Sequence, residues 1–242
     1  MMKLGTAIVT GASKRVGADV ATALIERGWT VLAHVRREGD DVPAGAKAVA
    51  AELADPDCAE RIFAAAEGLP PVRLLVNNAA RFAWDAFGEF DPAEFDAHMH
   101  ANVRAPVLLM REMAARSPGG DSLVVNMLDS KVVAPNPDFL SYTLSKHALL
   151  AASELAARAL AGKGIRVNAI APALMLKSSG QSDENFRAMH EHNPLGRGVT
   201  SADIVAAIDY LIASPVVTGE LLTIDAGQRF DPPSRDVQFL ET

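Results

Sequence analysis

Tyr142 and Lys146 stand four positions apart in a stretch, Tyr142–Ala161, whose apolar spacing reads as a helix. On a helix, positions i and i+4 share a face, so the lysine ammonium can lie beside the phenol. A free tyrosine titrates near pH 10. A neighbouring cation stabilises the phenolate and lowers that value, so the pair is expected to exchange a proton near neutral pH. The spacing alone arises often by chance. It gains weight from an apolar run ending Asn126-Met127-Leu128-Asp129, which sets a carboxylate thirteen residues before Tyr142.

These groups need a scaffold, and the chain spells one out. Short runs rich in Val, Ile and Leu occur at Ala7–Thr10, Thr30–His34, Lys47–Ala51, Leu74–Asn77, Leu123–Met127, Arg166–Ile170 and Leu221–Ile224. They lack strict alternation, as strands buried on both faces do. Between them lie helical patterns at Val16–Arg27, Cys58–Glu67, Ala93–Ala115, Tyr142–Ala161 and Ala202–Ala213. Asp91-Pro92-Ala93-Glu94 offers an N-cap, a proline in the first turn and a glutamate third. Strand–helix alternation from end to end predicts an α/β fold, a doubly wound parallel sheet of about seven strands with helices on both faces, in a single domain spanning 1–242. The polar stretch Ala173–Thr200, which holds Ser178-Ser179-Gly180 and Asn193-Pro194, interrupts the alternation. It reads as a substrate lid or as an ordinary surface loop.

The first strand runs into Thr10-Gly11-Ala12-Ser13-Lys14-Arg15-Val16-Gly17, which opens the first helix. Gly11 permits a tight turn and close backbone approach to a phosphate, and the helix N-terminus favours the anion. Asn77-Asn78-Ala79-Ala80 ends the fourth strand, where open α/β sheets bind ligands, although Asn also serves in turns. The end of the second strand, where an acid would hold the ribose hydroxyls of NAD, carries His34-Val35-Arg36-Arg37 instead. Arginine offers paired donors to a phosphate. With Lys14 and Arg15 these residues make a cationic pocket and predict NADPH; the plainer reading is that Arg36 and Arg37 are solvated charges.

Thr10–Gly17, Asn77–Ala80, Asn102, the Tyr142/Lys146 pair, Pro172, Thr218-Gly219 and Asp225-Ala226-Gly227 occur in an order and spacing that resembles the short-chain dehydrogenase/reductase family over nearly the whole chain. The resemblance implies a Rossmann fold and hydride transfer with a nicotinamide. It implies Tyr142 as acid/base, Lys146 holding the nicotinamide ribose and tuning Tyr142, and Asn102 anchoring a water-linked proton relay. It sets Gly11, Ser13, Lys14, Arg15, Val16, Gly17, His34, Arg36, Arg37, Leu53, Asn78, Ala79, Tyr142, Lys146 and Pro172 against the cofactor. A homotetramer is also implied.

Three departures narrow the resemblance. Arg15 stands where the family usually has Gly, Asp129 replaces the usual catalytic Ser, and Phe82 follows Asn78 by four residues. Together they look like the pteridine reductase branch, and the C-terminal segment looks like dihydromonapterin reductase-type members. In such enzymes the pterin lies between the nicotinamide and an aromatic ring, the position Phe82 matches. Arg15 would face the cofactor phosphates and the substrate's polar edge. A pterin presents basic ring nitrogens that a carboxyl can bind or protonate, so Asp129 and Tyr142 would share proton delivery. Alternatively Asp129 caps a loop while Ser130 does the serine's work, and Phe82 is a packing aromatic. Leu174 and Met175 line the substrate pocket on this reading, or simply pack. Ala80, Ala173 and Ala226 stand where Gly is usual, and alanine resists positive φ. The remaining readings are a carbonyl reductase of the same fold, acting on a 3-oxoacyl thioester, sugar or other ketone, and an NADP(H)-binding regulator without turnover.

Composition excludes other classes. Charged residues, 23 basic and 30 acidic, give −7 without a basic block, which argues against a nucleic-acid or membrane-surface partner. No apolar run is long enough to span a bilayer, and the N-terminus reads as a strand rather than a signal peptide, so a cytoplasmic protein is expected. The lone Cys58 forms no internal disulfide and reads as a packed thiol. His98/His100 and His190/His192, spaced i, i+2, point apart on a helix, so no metal is expected. The tail Gln228–Thr242 exceeds what the fold needs; its Val237, Phe239 and Leu240 are expected to dock on a neighbouring subunit or close a substrate pocket.

Overall fold

The computed structural model describes residues 2–117, 119–177 and 181–240. Seven strands form one all-parallel sheet: β1 (Thr6–Thr10), β2 (Thr30–Val35), β3 (Lys47–Ala50), β4 (Val72–Asn77), β5 (Ser122–Met127), β6 (Ile165–Pro172) and β7 (Leu221–Ile224). Their order is β3-β2-β1-β4-β5-β6-β7. The chain leaves β1 towards β3 and then returns to the other side of β1, so the β1/β4 crevice is the topological switch point where such sheets bind ligands.

Helices α1 (Arg15–Glu26) and α7 (Ser201–Ala213) cover one face; α2 (Cys58–Ala64), α4 (Ala105–Arg116) and α5 (Leu140–Leu160) cover the other. Alternate strand residues feed the two cores. Ala7, Val9, Leu74 and Val76 pack towards α1 and α7, while Ile8 and Leu75 pack towards α2 and α4. Both sides of each central strand are therefore apolar, which is why the sequence shows no polar alternation there. Cys58 is buried in the second core.

The structure departs from the sequence reading in two elements. The run expected as one helix over Ala93–Ala115 is α3 (Pro92–Met99), a π-helical turn His100–Arg104, and then α4. Pro106 supplies the reason. It lacks an N–H, and in a regular helix its ring would clash with the carbonyl four residues back, that of Asn102, so the turn before it widens. The stretch expected as a loop over 173–200 contains α6 (Asp183–His190). Ser182 caps it by accepting from the Asn185 N–H, with Asp183 and Glu184 in the first turn and Arg187 and His190 in the last, all in the sense the helix dipole favours. Ser178-Ser179-Gly180 lies outside the described residues, as does the tail's end at Glu241 and Thr242. Among the described residues no helix is long and apolar enough to cross a membrane, and no cluster of His, Cys, Asp and Glu could hold a metal.

Candidate active site

One cavity of about 1270 Å³ runs along the C-terminal ends of the strands. That exceeds the roughly 300–1,000 Å³ of a single small-ligand pocket, so it has room for a cofactor and a substrate together. Every expected site residue lines it except Asn102.

At the end opposite Tyr142 the β1–α1 turn is built on two glycines. Gly11 sits at φ +66°, and a Cβ on Gly17 would lie 2.1 Å from the Gly11 carbonyl oxygen, so backbone approaches backbone more closely than any side chain permits. Asn78 stitches the switch crevice: its Nδ2 donates to the Thr10 carbonyl at 2.9 Å and the Gly11 carbonyl at 3.3 Å, while the Asn78 and Ala79 N–H groups donate to Thr10 Oγ1. Asn77 instead turns into the core and donates to Asn126, its register partner on β5. Arg15 adopts φ +57°, the conformation that explains a glycine preference there, and its guanidinium donates to the Lys177 carbonyl at 2.9 Å across the cavity. Ala226 likewise takes a positive φ of 50° despite its side chain, a strain of about 1–2 kcal/mol. Arg36, Arg37 and Lys14 all reach the cavity, but Arg36 is not simply solvated: it donates to Glu52 at 2.7 Å. Glu52 is an acid just beyond β3 whose position only the sheet pairing reveals.

His34 ties this end together. Its Nδ1 accepts from the Gly11 N–H at 3.2 Å and its Nε2 donates to the Ala51 carbonyl at 2.9 Å, which requires the neutral ring. Burial lowers its pKa below the ordinary 6.5, against a weaker opposing pull from the Ala51 carbonyl. The unfolded chain therefore takes up the proton first. The neutral ring's contribution to stability is complete above 6.5 and is lost progressively as pH falls below it. Thermal melts should show wild type losing stability over that range more steeply than His34→Asn; equal slopes would refute this.

At the other end, Asp129 both caps a turn and meets Tyr142. One carboxylate oxygen accepts from the Lys131 N–H at 2.9 Å and caps a short turn; the other accepts from Tyr142 Oη at 3.0 Å. The expected direction of tuning is reversed. Burial, and then the Asp129 and Asp236 carboxylates, hold the Tyr142 phenol well above its ordinary value. Lys146 lies with Nζ 5.5 Å from the Tyr142 ring centre and donates to the Met127 carbonyl at 2.7 Å, not to the phenol. Burial draws the Lys146 ammonium down to about 8, with Asp129 pulling the other way. Burial first, and then a carboxylate in place of a neutral hydroxyl, thus favour the proton staying on Tyr142.

Asn102, in the widened π turn, holds its side chain in three hydrogen bonds to the protein. It accepts from the Arg81 N–H at 2.7 Å and donates to the Arg81 carbonyl and to Ser145 Oγ at 3.0 and 2.9 Å. It thereby ties the segment after β4 to the helix that carries Lys146. Sequence reading did not single out Asp85, which accepts from the N–H and Oγ of Ser141 and so fixes the first turn of α5 beside Tyr142. Nor did it single out Phe139, held at φ +59° at the N-cap of α5. Phe82 stacks on Phe139 with ring centres 4.3 Å apart and meets Tyr142 edge-on at 4.7 Å. It remains 46% exposed at the cavity, so it is not a core aromatic. Leu174 and Met175 line the same end.

A glycine-turned parallel sheet with a buried Tyr–Lys pair at the ends of its strands defines an oxidoreductase of the Rossmann type. The chain belongs to the short-chain dehydrogenase/reductase family, and a family profile described as enoyl-(acyl carrier protein) reductase matches residues 11–229. It is 31% identical to the NADPH carbonyl reductase 2 of Sus scrofa over 91% of this chain and 95% of that one. It is 28% identical to pteridine reductase 1 of Leishmania tarentolae, again over 91% and 95%. Among solved structures, the FolM alternative dihydrofolate reductase 1 of Brucella canis, complexed with NADP, superimposes with a TM-score of 0.89 at 35% identity, over 96% of each chain.

Proposed function

We infer that the protein is an NADPH-dependent reductase of a pteridine ring, of the dihydropterin or dihydrofolate type. The observation that carries this reading is the hydrogen bond from Tyr142 Oη to a carboxylate, Asp129, beside the exposed ring of Phe82. The likeness to the dihydrofolate and pteridine reductases supports it.

The cofactor is NADP(H), and the glycine turn fits it: the Gly11–Gly17 contact leaves backbone alone facing the cavity, with Lys14, Arg15, Arg36 and Arg37 around it. When bound, the reduced cofactor supplies a hydride. Lys14 and the two arginines after β2 offer charge and paired donors to phosphate. Tyr142 holds its proton at Oη through neutral pH and presents it to the substrate. Asp129 orients that hydroxyl and, once Tyr142 turns to the substrate, its freed oxygen accepts from a ring N–H or amino group. A carbonyl oxygen has no donor to give that carboxylate, so the pair suits an amino-substituted heterocycle better than a ketone. Phe82 offers one ring face to a flat substrate, a contact of roughly 0.5–1.5 kcal/mol beyond burial.

A second reading, a carbonyl reductase, is favoured by the sequence relatives and shares the Tyr142–Lys146 pair. Following NADPH and NADH oxidation with dihydropterins, dihydrofolate and a panel of ketones separates the two. Turnover of a ketone and of no pterin would reject the first. Asp129→Ala is expected to lower kcat/KM for a dihydropterin by about 10²-fold or more, and that for a ketone by less; equal losses would remove Asp129 from its assigned role.

A further inference from the structure

The C-terminal segment is fastened across the substrate end of the cavity at several points. Arg235 makes a two-pronged pair with Asp138, at 2.7 and 3.2 Å, and Asp138 also accepts from the Asp236 N–H at 2.8 Å. That anchor immediately precedes Phe139, which stacks on Phe82. Lys131, almost fully buried, has its Nζ 2.8 Å from both Asn136 Oδ1 and Asp236 Oδ2. Further on, the Phe239 ring lies against Phe139 and Trp84, and the Leu240 carbonyl accepts from Asn185 on α6 at 2.7 Å. The segment therefore joins the loop after β5 to the helix inside the 173–200 stretch. Pro232, Pro233, Asp236 and Val237 line the same cavity as Tyr142 and Asp129.

We propose that residues 232–240 form the outer wall of the substrate site, and that the Asp236 carboxylate, held in place by Lys131, accepts hydrogen bonds from the donor-bearing edge of an amino-substituted nitrogen heterocycle. A carboxylate has about four acceptor positions. Asp236 uses one on Lys131 and one on the Gln238 N–H. Two acids, Asp129 and Asp236, then face one cavity from different parts of the chain. Asp236 is near enough that its charge helps hold the proton on Tyr142. Such a wall accepts a ring that offers N–H groups and disfavours an anionic or long acyl substrate, which would meet like charge and a closed end. The substrate class named here rests on the pteridine reading; the wall itself does not.

The full-length enzyme with NADPH tests this, using 7,8-dihydrobiopterin and acetoacetyl-coenzyme A as probes. Asp236→Asn keeps size and removes charge. It is expected to raise the KM for dihydrobiopterin about tenfold, with the NADPH dissociation constant unaltered. A chain ending at Asp231 should show the same rise and a smaller preference for dihydrobiopterin over the thioester. Unchanged KM in both variants, each melting as a folded protein, would overturn the proposal. If wild type reduces a ketone and no pterin, the pteridine reading fails by itself. The truncated chain is then compared on that ketone: a shifted KM with unaltered NADPH binding upholds the wall, and an unshifted one overturns it.

Discussion

Tyr142→Phe is expected to abolish most turnover, lowering kcat by about 10²–10⁴-fold, the span that a positioned proton donor contributes. The ring's packing survives the change. Its edge-on contact with Phe82 and its burial in α5 depend on carbon atoms that phenylalanine retains. What disappears is the O–H that donates to Asp129 at 3.0 Å, and with it the hydroxyl proposed to give a proton. NADPH binding, measured by fluorescence quenching, should change little, because the glycine turn and the cationic residues lie at the other end of the cavity. Single-turnover oxidation of pre-bound NADPH isolates the chemical step. A Tyr142→Phe enzyme that kept its single-turnover rate within a factor of about ten would lose less than 1.4 kcal/mol of transition-state stabilisation, too little for the assigned donor.

Gly17→Ala should damage the cofactor end as severely. The added methyl would lie 2.1 Å from the Gly11 carbonyl oxygen, 2.9 Å from its carbon and 2.6 Å from Asn78 Nδ2. Two of these atoms are backbone, so no side-chain rotation relieves the overlap. Helix α1 must shift away from β1, or the turn must open and release the hydrogen bond from Asn78 to Gly11. Over-packing costs about 1–3 kcal/mol, and the upper end applies where backbone must move. If that cost falls on the cofactor-competent conformation, NADPH affinity drops by about 10²-fold. Gly162→Ala is the control, since a Cβ there meets nothing within 4 Å. Calorimetric titration with NADPH and a thermal melt of both variants should show the loss for Gly17→Ala alone.

Most of the fold was legible because it follows from local pattern. Seven non-alternating apolar runs separated by helical periods leave little choice but a parallel sheet covered on both faces, and the structure has that sheet. The grouping of Tyr142, Lys146 and Asp129 was legible for a related reason: Tyr142 and Lys146 share one helix, and Asp129 lies two residues past the end of the strand before it. Two misread elements carried visible signals. Pro106 lies inside the run read as a single helix, and Ser182-Asp183-Glu184 marks the start of α6.

What the sequence by itself determined was that Tyr142, Lys146 and Asp129 come together, because strand ends and helix faces fix neighbours within a few residues. How those groups are tuned was decided only by the tertiary structure. A pKa answers to every charge within a few ångströms and to the water excluded around it, whatever the separation along the chain. The Lys146 ammonium, four residues away, suggested a phenol made more acidic. Burial, Asp129 and Asp236 together make it less so, and Asp236 is held in place by Lys131 and by a tail anchored to Asp138, 97 residues earlier in the chain. The wall that this tail forms across the substrate end likewise depends on long-range ion pairs and ring contacts, which no periodicity in the sequence encodes.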